Sequence, residues 1–330
     1  MADGKKILVT GGAGYIGSHA CKALRAAGYV PVTYDNLSTG WRDAVRFGPL
    51  EEGDLNDRAR LDQVFASHAP VAVMHFGALS DVGQSMREPG LYWHNNACGS
   101  LTLIQAMIAA GCKRMVFSST CATYGEQDGV MLDESAVQQP INAYGASKLA
   151  IEQMLSNFRN SDGLDSAIFR YFNVAGADPE AEVGEFHRPE THLIPLILDA
   201  IIGKRDALTI FGTDYDTPDG TCIRDYVHVS DLIDAHIAGL DWLDAGKGSR
   251  VFNLGTGQGF SVMEVLTKAR DVTGHEVPYN LGARRAGDCT KLVSASTRAR
   301  AELGWVPRRS VMEEMIGDAW RWHKTGHYEG

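Results

Sequence analysis

The chain has 330 residues, 44% of them apolar, enough for one large domain or two modest ones with a substantial core, which excludes disorder. A formal charge of −10 excludes the basic excess of a nucleic-acid binder, so an anionic ligand must be held by a few local arginines and backbone amides. The six cysteines (Cys21, Cys98, Cys112, Cys121, Cys222, Cys289) are scattered without a C-x-x-C pair and read as free thiols of a reducing compartment.

In chain order, residues 1–6 are short and polar and leave no room for a signal peptide's apolar region. No apolar run approaches the roughly eighteen residues of a membrane span, so a soluble, cytoplasmic protein is expected. Residues 6–10 form a short apolar strand ending in glycines, and 15–27 read as a helix closed by Gly28. A second strand, 30–34, ends at Asp35. After an irregular stretch to Asp54, a helix over 57–68 leads into a buried parallel strand at 71–75. A helix-compatible region over 88–110, closed by Gly111, precedes a strand at 115–118, and a helix over 142–159 precedes a strand at 166–171. This alternation predicts an α/β fold built on a doubly wound parallel sheet with right-handed crossovers. After Asn173 the sequence turns to Gly, Pro and acidic residues, with a helix near 193–203 and turns over 214–220. A second, smaller α/β domain is therefore expected at the C-terminal end. Residues 251–254 look like a strand returning to the main sheet, so the domains are expected to interleave: 1–175 with 227–255, and 176–226 with 256–330.

The turn Gly11-Gly12-Ala13-Gly14-Tyr15-Ile16-Gly17 parses as G-x-x-G-x-x-G or as G-x-G-x-x-G. A glycine turn by itself often does no more than turn the chain. This one follows a strand, opens a helix, and has Asp35 at the end of the next strand, the context of a Rossmann dinucleotide site. There the glycines admit a pyrophosphate to the helix N-terminus and the carboxylate takes the ribose hydroxyls. Asp35 has no arginine directly beside it and repels a 2′-phosphate, which favours NAD over NADP.

Tyr144 and Lys148 stand four residues apart and so share a helix face, where an ammonium favours the ionised form of a phenol. On spacing alone, a solvated Tyr/Lys pair is the commoner reading. Ser118-Ser119-Thr120 ends a strand at the carboxyl edge of the sheet, where ligands of doubly wound folds lie, although hydroxyls capping a loop would look the same. Taken with the glycine turn, these parts supply a hydride acceptor, a proton acceptor (Tyr144) and a hydroxyl (Thr120) to hold the reacting oxygen.

The stretches Val9-Thr-Gly-Gly-Ala-Gly-Tyr-Ile-Gly-Ser18, Tyr34-Asp-Asn-Leu37, Met74-His-Phe76, Asn95-Asn96, Ser118-Ser-Thr-Cys-Ala-Thr-Tyr-Gly125, Tyr144-Gly-Ala-Ser-Lys148, Arg170-Tyr-Phe-Asn173, Arg224-Asp-Tyr-Val-His228 and Arg284-Arg-Ala-Gly-Asp288 occur in this order over nearly the whole chain. They resemble the extended short-chain dehydrogenase/reductase family, and within it the UDP-sugar 4-epimerases. The resemblance implies an NAD-binding first domain and a nucleotide-sugar-binding second one. It implies cofactor contacts from Gly11, Gly14, Tyr15, Ile16, Gly17, Asp35, Asn36, Asp54, Leu55, Phe76, Ser80, Asn95, Lys148 and Phe172, with Asp54 and Leu55 by the adenine. It implies that Asn173, Phe211, Arg224, Arg285 and Asp288 hold the UDP part, with Thr120 and Tyr144 at the sugar. The implied reaction interconverts UDP-glucose and UDP-galactose through a 4-keto sugar with tightly bound NAD, in a homodimer joined through helices 92–110 and 144–159.

Some positions depart from the family pattern. Thr120 stands where many epimerases have serine and keeps the hydroxyl. Ser80 falls where some members carry a lysine near the cofactor phosphates. Leu292 aligns with a position whose bulk admits or excludes N-acetylated sugars and is intermediate in size, which leaves UDP-GlcNAc or a UDP-pentose open as substrates. Related dehydratases place an acidic pair after the threonine, but here Cys121 and Ala122 stand there and elimination lacks its acid and base. A net nucleotide-sugar oxidoreductase would use the same tyrosine and lysine; a non-catalytic NAD sensor would have no need of Tyr144, Lys148 and Thr120 together. Glu185, His187, Glu190 and His192 suggest a metal site, but no H-E-x-x-H or Cys/His spacing supports one, so a loop near substrate is expected and no metal.

Overall fold

In the computed structural model, which describes residues 4–127, 131–285, 289–325 and 328, strand and helix alternate through the first half. The order is β1 (Lys6–Thr10), α1 (Tyr15–Ala26), β2 (Val30–Asp35), β3 (Leu50–Glu52), α2 (Arg58–His68), β4 (Ala72–His75), α3 (Val82–Arg87), α4 (Pro89–Tyr92), a π-helical turn Trp93–Cys98, α5 (Gly99–Ala109), β5 (Arg114–Ser118), α6 (Ala143–Asp162) and β6 (Asp165–Tyr171). Then come β7 (Asn173–Ala175), α7 (Leu193–Ile201), β8 (Leu208–Phe211), β9 (Ile223–His228), α8 (Val229–Asp244), β10 (Arg250–Leu254), β11 (Gly259–Ser261), α9 (Val262–Thr273), β12 (Tyr279–Gly282), β13 (Lys291–Leu292), α10 (Thr297–Leu303) and α11 (Met312–His323). No helix among the described residues is long and apolar enough to cross a membrane.

The chain divides into two units. One runs to Gly125 and adds Val137–Arg170 and Ile233–Phe252; the other takes Glu126–Ala136, Tyr171–Leu232 and the chain from Asn253 onward. Their borders fall at 170/171, 232/233 and 252/253, against the expected 175/176, 226/227 and 255/256. Glu126–Ala136 goes with the second unit through Leu132, which bridges Ser294 and accepts a bond from the Asn253 side chain.

The first unit is built on a seven-stranded sheet in the order β10-β6-β5-β4-β1-β2-β3. The pairings from β3 through β6 are all parallel, with Leu8 set between Val32 and Val73. This is the doubly wound α/β sheet expected from the alternation. The chain leaves β1 toward β2 and β3 and then crosses to β4, β5 and β6, so the direction of winding reverses between β1 and β4, the place where such sheets bind ligands. Strands with buried residues on both faces carry Leu8, Val32, Val73, Met115 and Phe117 into one core with Leu61, Leu103, Met107, Ile151 and Leu155 of the helices. The helix expected over 88–110 is interrupted, because residues 93–98 wind as a π-turn that carries Asn95 and Asn96.

The second unit has a sheet in which β9 lies between β11 and β13 and also pairs with β7, and a separate parallel pair, β8 with β12. Ile194, Ile197 and Leu198 of α7, Val265 and Leu266 of α9, and Met312, Met315 and Ile316 of α11 form its core against Leu208, Ile210 and Tyr226. One buried charge ties α11 down. The Asp318 carboxylate, 5% exposed, accepts from Arg309 at 2.7 Å and Arg321 at 2.8 Å and lies 3.3 Å from His228. Burial would raise its pKa, but His228 and Arg309 outweigh that and hold it at about 2, below the ordinary 3.8. The charged form is thus favoured by folding, so its contribution is complete above about pH 4 and is lost as the pH falls toward 2. An Asp318→Asn variant is expected to melt lower at neutral pH and to lose less further stability than the parent between about pH 4 and 2. Thermal melts across that range check this, and parallel pH curves would contradict it.

Candidate active site

Gly11 follows β1 at a φ of +71°, and a methyl group there would lie 2.6 Å from the Gly77 nitrogen. Gly17 lies so close that its methyl would meet the Gly11 carbonyl oxygen at 2.1 Å. Only hydrogen at both positions lets α1 start directly on the turn. Gly14 begins that helix with extended backbone and no capping side chain, and no acidic residue stands in its first turn. Tyr15 and Ile16 occupy this first turn. Asp35, at the end of β2, takes the Ala13 amide at 3.0 Å and the Leu37 amide at 2.8 Å. Burial raises its pKa and those amides only partly offset it.

Farther along this edge, Asn36 donates to Asp54 at 2.8 Å, and the Asn56 amide donates to the other Asp54 oxygen. Burial opposes ionisation of Asp54, but these bonds win and its pKa is lowered. Leu55 packs at Gly77 and Gly99, where an added methyl would stand 3.2 Å and 2.9 Å from it. Phe76 follows β4 and lies 5.2 Å from the ring of buried His236. In the π-turn, Asn95 donates to the Asn96 side chain, and Asn96 clasps both the amide and the carbonyl of Leu79, fixing the segment that carries exposed Ser80.

Thr120 follows β5 and is 6% exposed; its hydroxyl caps the turn Cys121–Thr123 by accepting from the Ala122 amide. The head of α6 is pressed against this turn: a methyl on Gly145 would lie 2.4 Å from the Ala122 carbonyl oxygen. Asn142 caps α6 by accepting from the Gly145 amide at 2.8 Å. Tyr144, partly exposed, thus enters beside the Thr120 loop, and Lys148 follows one turn later. The Lys148 ammonium is 2% exposed and donates to the Ser118 carbonyl at 2.8 Å. Burial lowers its pKa to about 7, with Glu152 pulling the other way. An ammonium has three donors, and Ser118 engages one of them.

His75 is bonded at both ring nitrogens. Because Ser100 donates to the Asn96 carbonyl, the His75 Nε2–H donates to Ser100 and its Nδ1 accepts from Thr10. Burial and then Lys148 push its pKa down to about 3, which keeps the ring neutral and makes it a fixed linker.

In the second unit Phe172 is buried and precedes Asn173, whose side chain bonds Tyr226 of β9, the residue paired with it. Arg224 and Leu292 face each other across β9 and β13, and Arg224 donates to the Cys289 carbonyl at 2.9 Å. The Arg285 guanidinium lies 4.0 Å from the centre of the Phe211 ring. Among the described residues the structure thus pairs Arg285 with Phe211, and Arg224 with Leu292 and Cys289. Asp288 lies outside the described residues.

Residues 7–255 match the model of the NAD dependent epimerase/dehydratase family. The chain belongs to that family. The UDP-glucose 4-epimerase of Rhizobium leguminosarum bv. trifolii is 50% identical over 320 residues, covering 97% of this chain and 98% of that one. A UDP-glucose 4-epimerase from Brucella ovis solved in complex with NAD is 44% identical with a TM-score of 0.94, covering 97% of this chain and 98% of that one. Another, from Bifidobacterium longum in complex with NAD+ and UDP, is 33% identical with a TM-score of 0.92 over the same shares.

The family's NAD fits the first unit: the Gly11/Gly17 cradle would be filled by any side chain, α1 opens without a cap, and a carboxylate stands at the end of β2. Replacing Asp35 by Ala is expected to raise the Kd for NAD roughly ten- to a hundredfold, the loss that follows if its carboxylate takes the ribose hydroxyls. Fluorescence titration of cofactor-stripped protein measures this, and an unchanged Kd would contradict the role of Asp35.

The sequence reading missed a buried set behind Thr120. Glu152, the next residue on the face of Tyr144 and Lys148, accepts from Ser119, at 2.5 Å, and from Arg170, whose NH1 reaches the Tyr124 hydroxyl at 2.9 Å. The four-residue repeat Tyr144, Lys148, Glu152 was the available signal.

Proposed function

We propose that the chain is an NAD-dependent 4-epimerase that interconverts UDP-glucose and UDP-galactose through a 4-keto sugar. The observation that carries this reading is the joining, at one sheet edge, of a dinucleotide cradle with Thr120, Tyr144 and buried Lys148. Full-length similarity to UDP-glucose 4-epimerases supports it. Bound NAD supplies a hydride acceptor that returns the same hydride, so no net redox change results. Gly11, Gly14, Tyr15, Ile16, Gly17, Asp35, Asn36, Asp54, Leu55, Phe76, Ser80, Asn95, Lys148 and Phe172 are the residues that would hold it.

Tyr144 takes the proton of the sugar 4′-hydroxyl as the C4′ hydrogen leaves, and gives it back to the same oxygen when hydride returns to the opposite face. Thr120 bonds that oxygen and fixes its distance from Tyr144. Lys148, buried with its charge near the head of α6, favours the phenolate. Between the two half-reactions the keto sugar must turn, so tight holding is confined to the UDP part, the task of Asn173, Phe211, Arg224, Arg285 and Asp288. Cys121 and Ala122 offer no acid or base for elimination, which leaves hydride return as the outcome.

Incubating purified protein, without added nucleotide, with UDP-galactose, UDP-GlcNAc and UDP-xylose separately tests the reading. UDP-galactose is expected to equilibrate with UDP-glucose, and no conversion of any of the three would contradict it. Leu292→Tyr is expected to suppress any turnover of the N-acetyl sugar selectively; equal losses on both substrates would count against a gate at this position. The enzyme works as a homodimer through segments 92–110 and 144–159, so light scattering should give twice 35.8 kDa. A reducing cytoplasm suits its six free cysteines.

A further inference from the structure

The loop between β7 and α7 holds four side chains that the epimerase chemistry does not use. One donor atom each from Glu185, His187, Glu190 and His192 lies within 4.8 Å of the others. His187 Nδ1 stands 3.5 Å from Glu185 Oε1 and 3.5 Å from Glu190 Oε2, and His192 Nδ1 contacts the same Glu185 oxygen. The His187 Nδ1 is buried, and its nearest carboxylate oxygens stand at these long separations. Both separations exceed the roughly 2.7–3.2 Å of an N–H···O bond. Those two separations match the edge of a zinc tetrahedron, since donors at about 2.0–2.1 Å from a central ion lie about 3.3–3.4 Å apart, whereas the His192–Glu185 contact is a closed hydrogen bond that an ion would open.

The surroundings hold these donors in place. The second Glu190 oxygen accepts the Thr191 amide at 2.7 Å and the His192 amide at 2.9 Å, which leaves Oε2 turned toward His187. Trp322 donates to the Glu185 carbonyl at 3.0 Å, and Gly184 lies so close to its indole that a methyl would stand 2.3 Å away. Fixing the backbone and the spare ligand oxygen in this way is what outer-shell contacts of metal sites do. The two carboxylates are 5% and 11% exposed and meet imidazoles, Glu185 both His187 and His192 and Glu190 His187, so carboxylate and imidazole donors already face one another in a sheltered loop. The histidines are 27% and 48% exposed, which leaves the ion a way in from solvent.

We propose that this loop binds one divalent transition-metal ion, best matched by Zn2+, through Glu185, His187, Glu190 and His192. The imidazoles select against Mg2+ and Ca2+, and two carboxylates neutralise the ion. With all four tetrahedral positions taken by protein the site is structural: it clamps the loop onto the start of α7 and does no chemistry itself.

The test uses tag-free, full-length protein treated with chelator. Titration with ZnCl2 by calorimetry is expected to show one ion per chain, zinc should raise the melting temperature, and Co2+ should give the visible bands of a tetrahedral site. The double variant H187A/H192A is expected to lose all three responses while retaining its NAD content. Should that variant fail to fold, Glu190→Gln, which keeps the shape and removes the charge, is expected to weaken zinc binding at least tenfold. Absence of zinc heat and of a Co2+ spectrum in the parent, or equal binding by parent and variants, would overturn the proposal.

Discussion

Tyr144→Phe is expected to lower turnover of UDP-galactose by about 10²–10⁴-fold while the protein keeps its fold and its NAD. The change deletes one oxygen and nothing else of size. The contacts that set the head of α6 are made by other atoms: Asn142 caps the Gly145 amide, Gly145 meets the Ala122 carbonyl, and Ser147 donates to the Tyr144 carbonyl, which the substitution preserves. What disappears is the group proposed to accept the 4′-hydroxyl proton. Lys148 cannot replace it, since its ammonium is buried and bonded to the Ser118 carbonyl. Turnover is followed by the epimer ratio, and cofactor content by the NAD released on denaturation. A variant that retained most of its rate would remove Tyr144 from the proton path; one that lost its NAD would show a structural effect instead.

The second large effect concerns the charge pair beneath Thr120. Arg170 and Glu152 are each 6% exposed, joined by Nε at 3.0 Å and NH2 at 2.6 Å, and bonded further to Tyr124, Ser119 and Gln138. Arg170→Ala leaves a buried carboxylate without its cation, and the expected loss is about 3–5 kcal/mol of stability. Removing both charges together, as Glu152→Met with Arg170→Met, is expected to cost less than Arg170→Ala alone, because no unpaired charge remains. Chemical denaturation of the variants measures both, and a loss under about 1 kcal/mol for Arg170→Ala would show that the pair is solvated. Since Ser119 adjoins Thr120, and Glu152 shares its helix with Tyr144 and Lys148, the same pair ties the loop carrying Thr120 to the helix carrying Tyr144.

Much of the first unit could be read from the sequence because its signals are local. Apolar runs bounded by Gly28 and Gly111 delimit strands and helices, and Gly11 to Gly17 followed by Asp35 announces a phosphate cradle without reference to distant residues. The π-turn at Trp93–Cys98 has no such signal; its residues suit an ordinary helix, and only Asn96 reaching back to Leu79 shows why the winding loosens there. Strand β3 is three residues long and pairs with β2 at the sheet edge, too short to impose a pattern. The links among Ser119, Glu152 and Arg170, 33 and 18 residues apart in sequence, exist only once β5, α6 and β6 are packed together. Phe76 and His236 meet for the same reason. The loop with Glu185 and His192 carries no familiar spacing, and its convergence depends on Trp322 from α11.

In this mechanism the hydrogen leaving the sugar carbon returns to the same carbon. UDP-galactose carrying deuterium at C4 of the sugar, incubated with the purified protein in ordinary water, measures this directly by mass spectrometry and NMR of the product. UDP-glucose with the label kept at C4, and with no accumulation of reduced cofactor, is the predicted result. Product in which the deuterium has been replaced by solvent hydrogen, or stoichiometric release of labelled NADH, would contradict it.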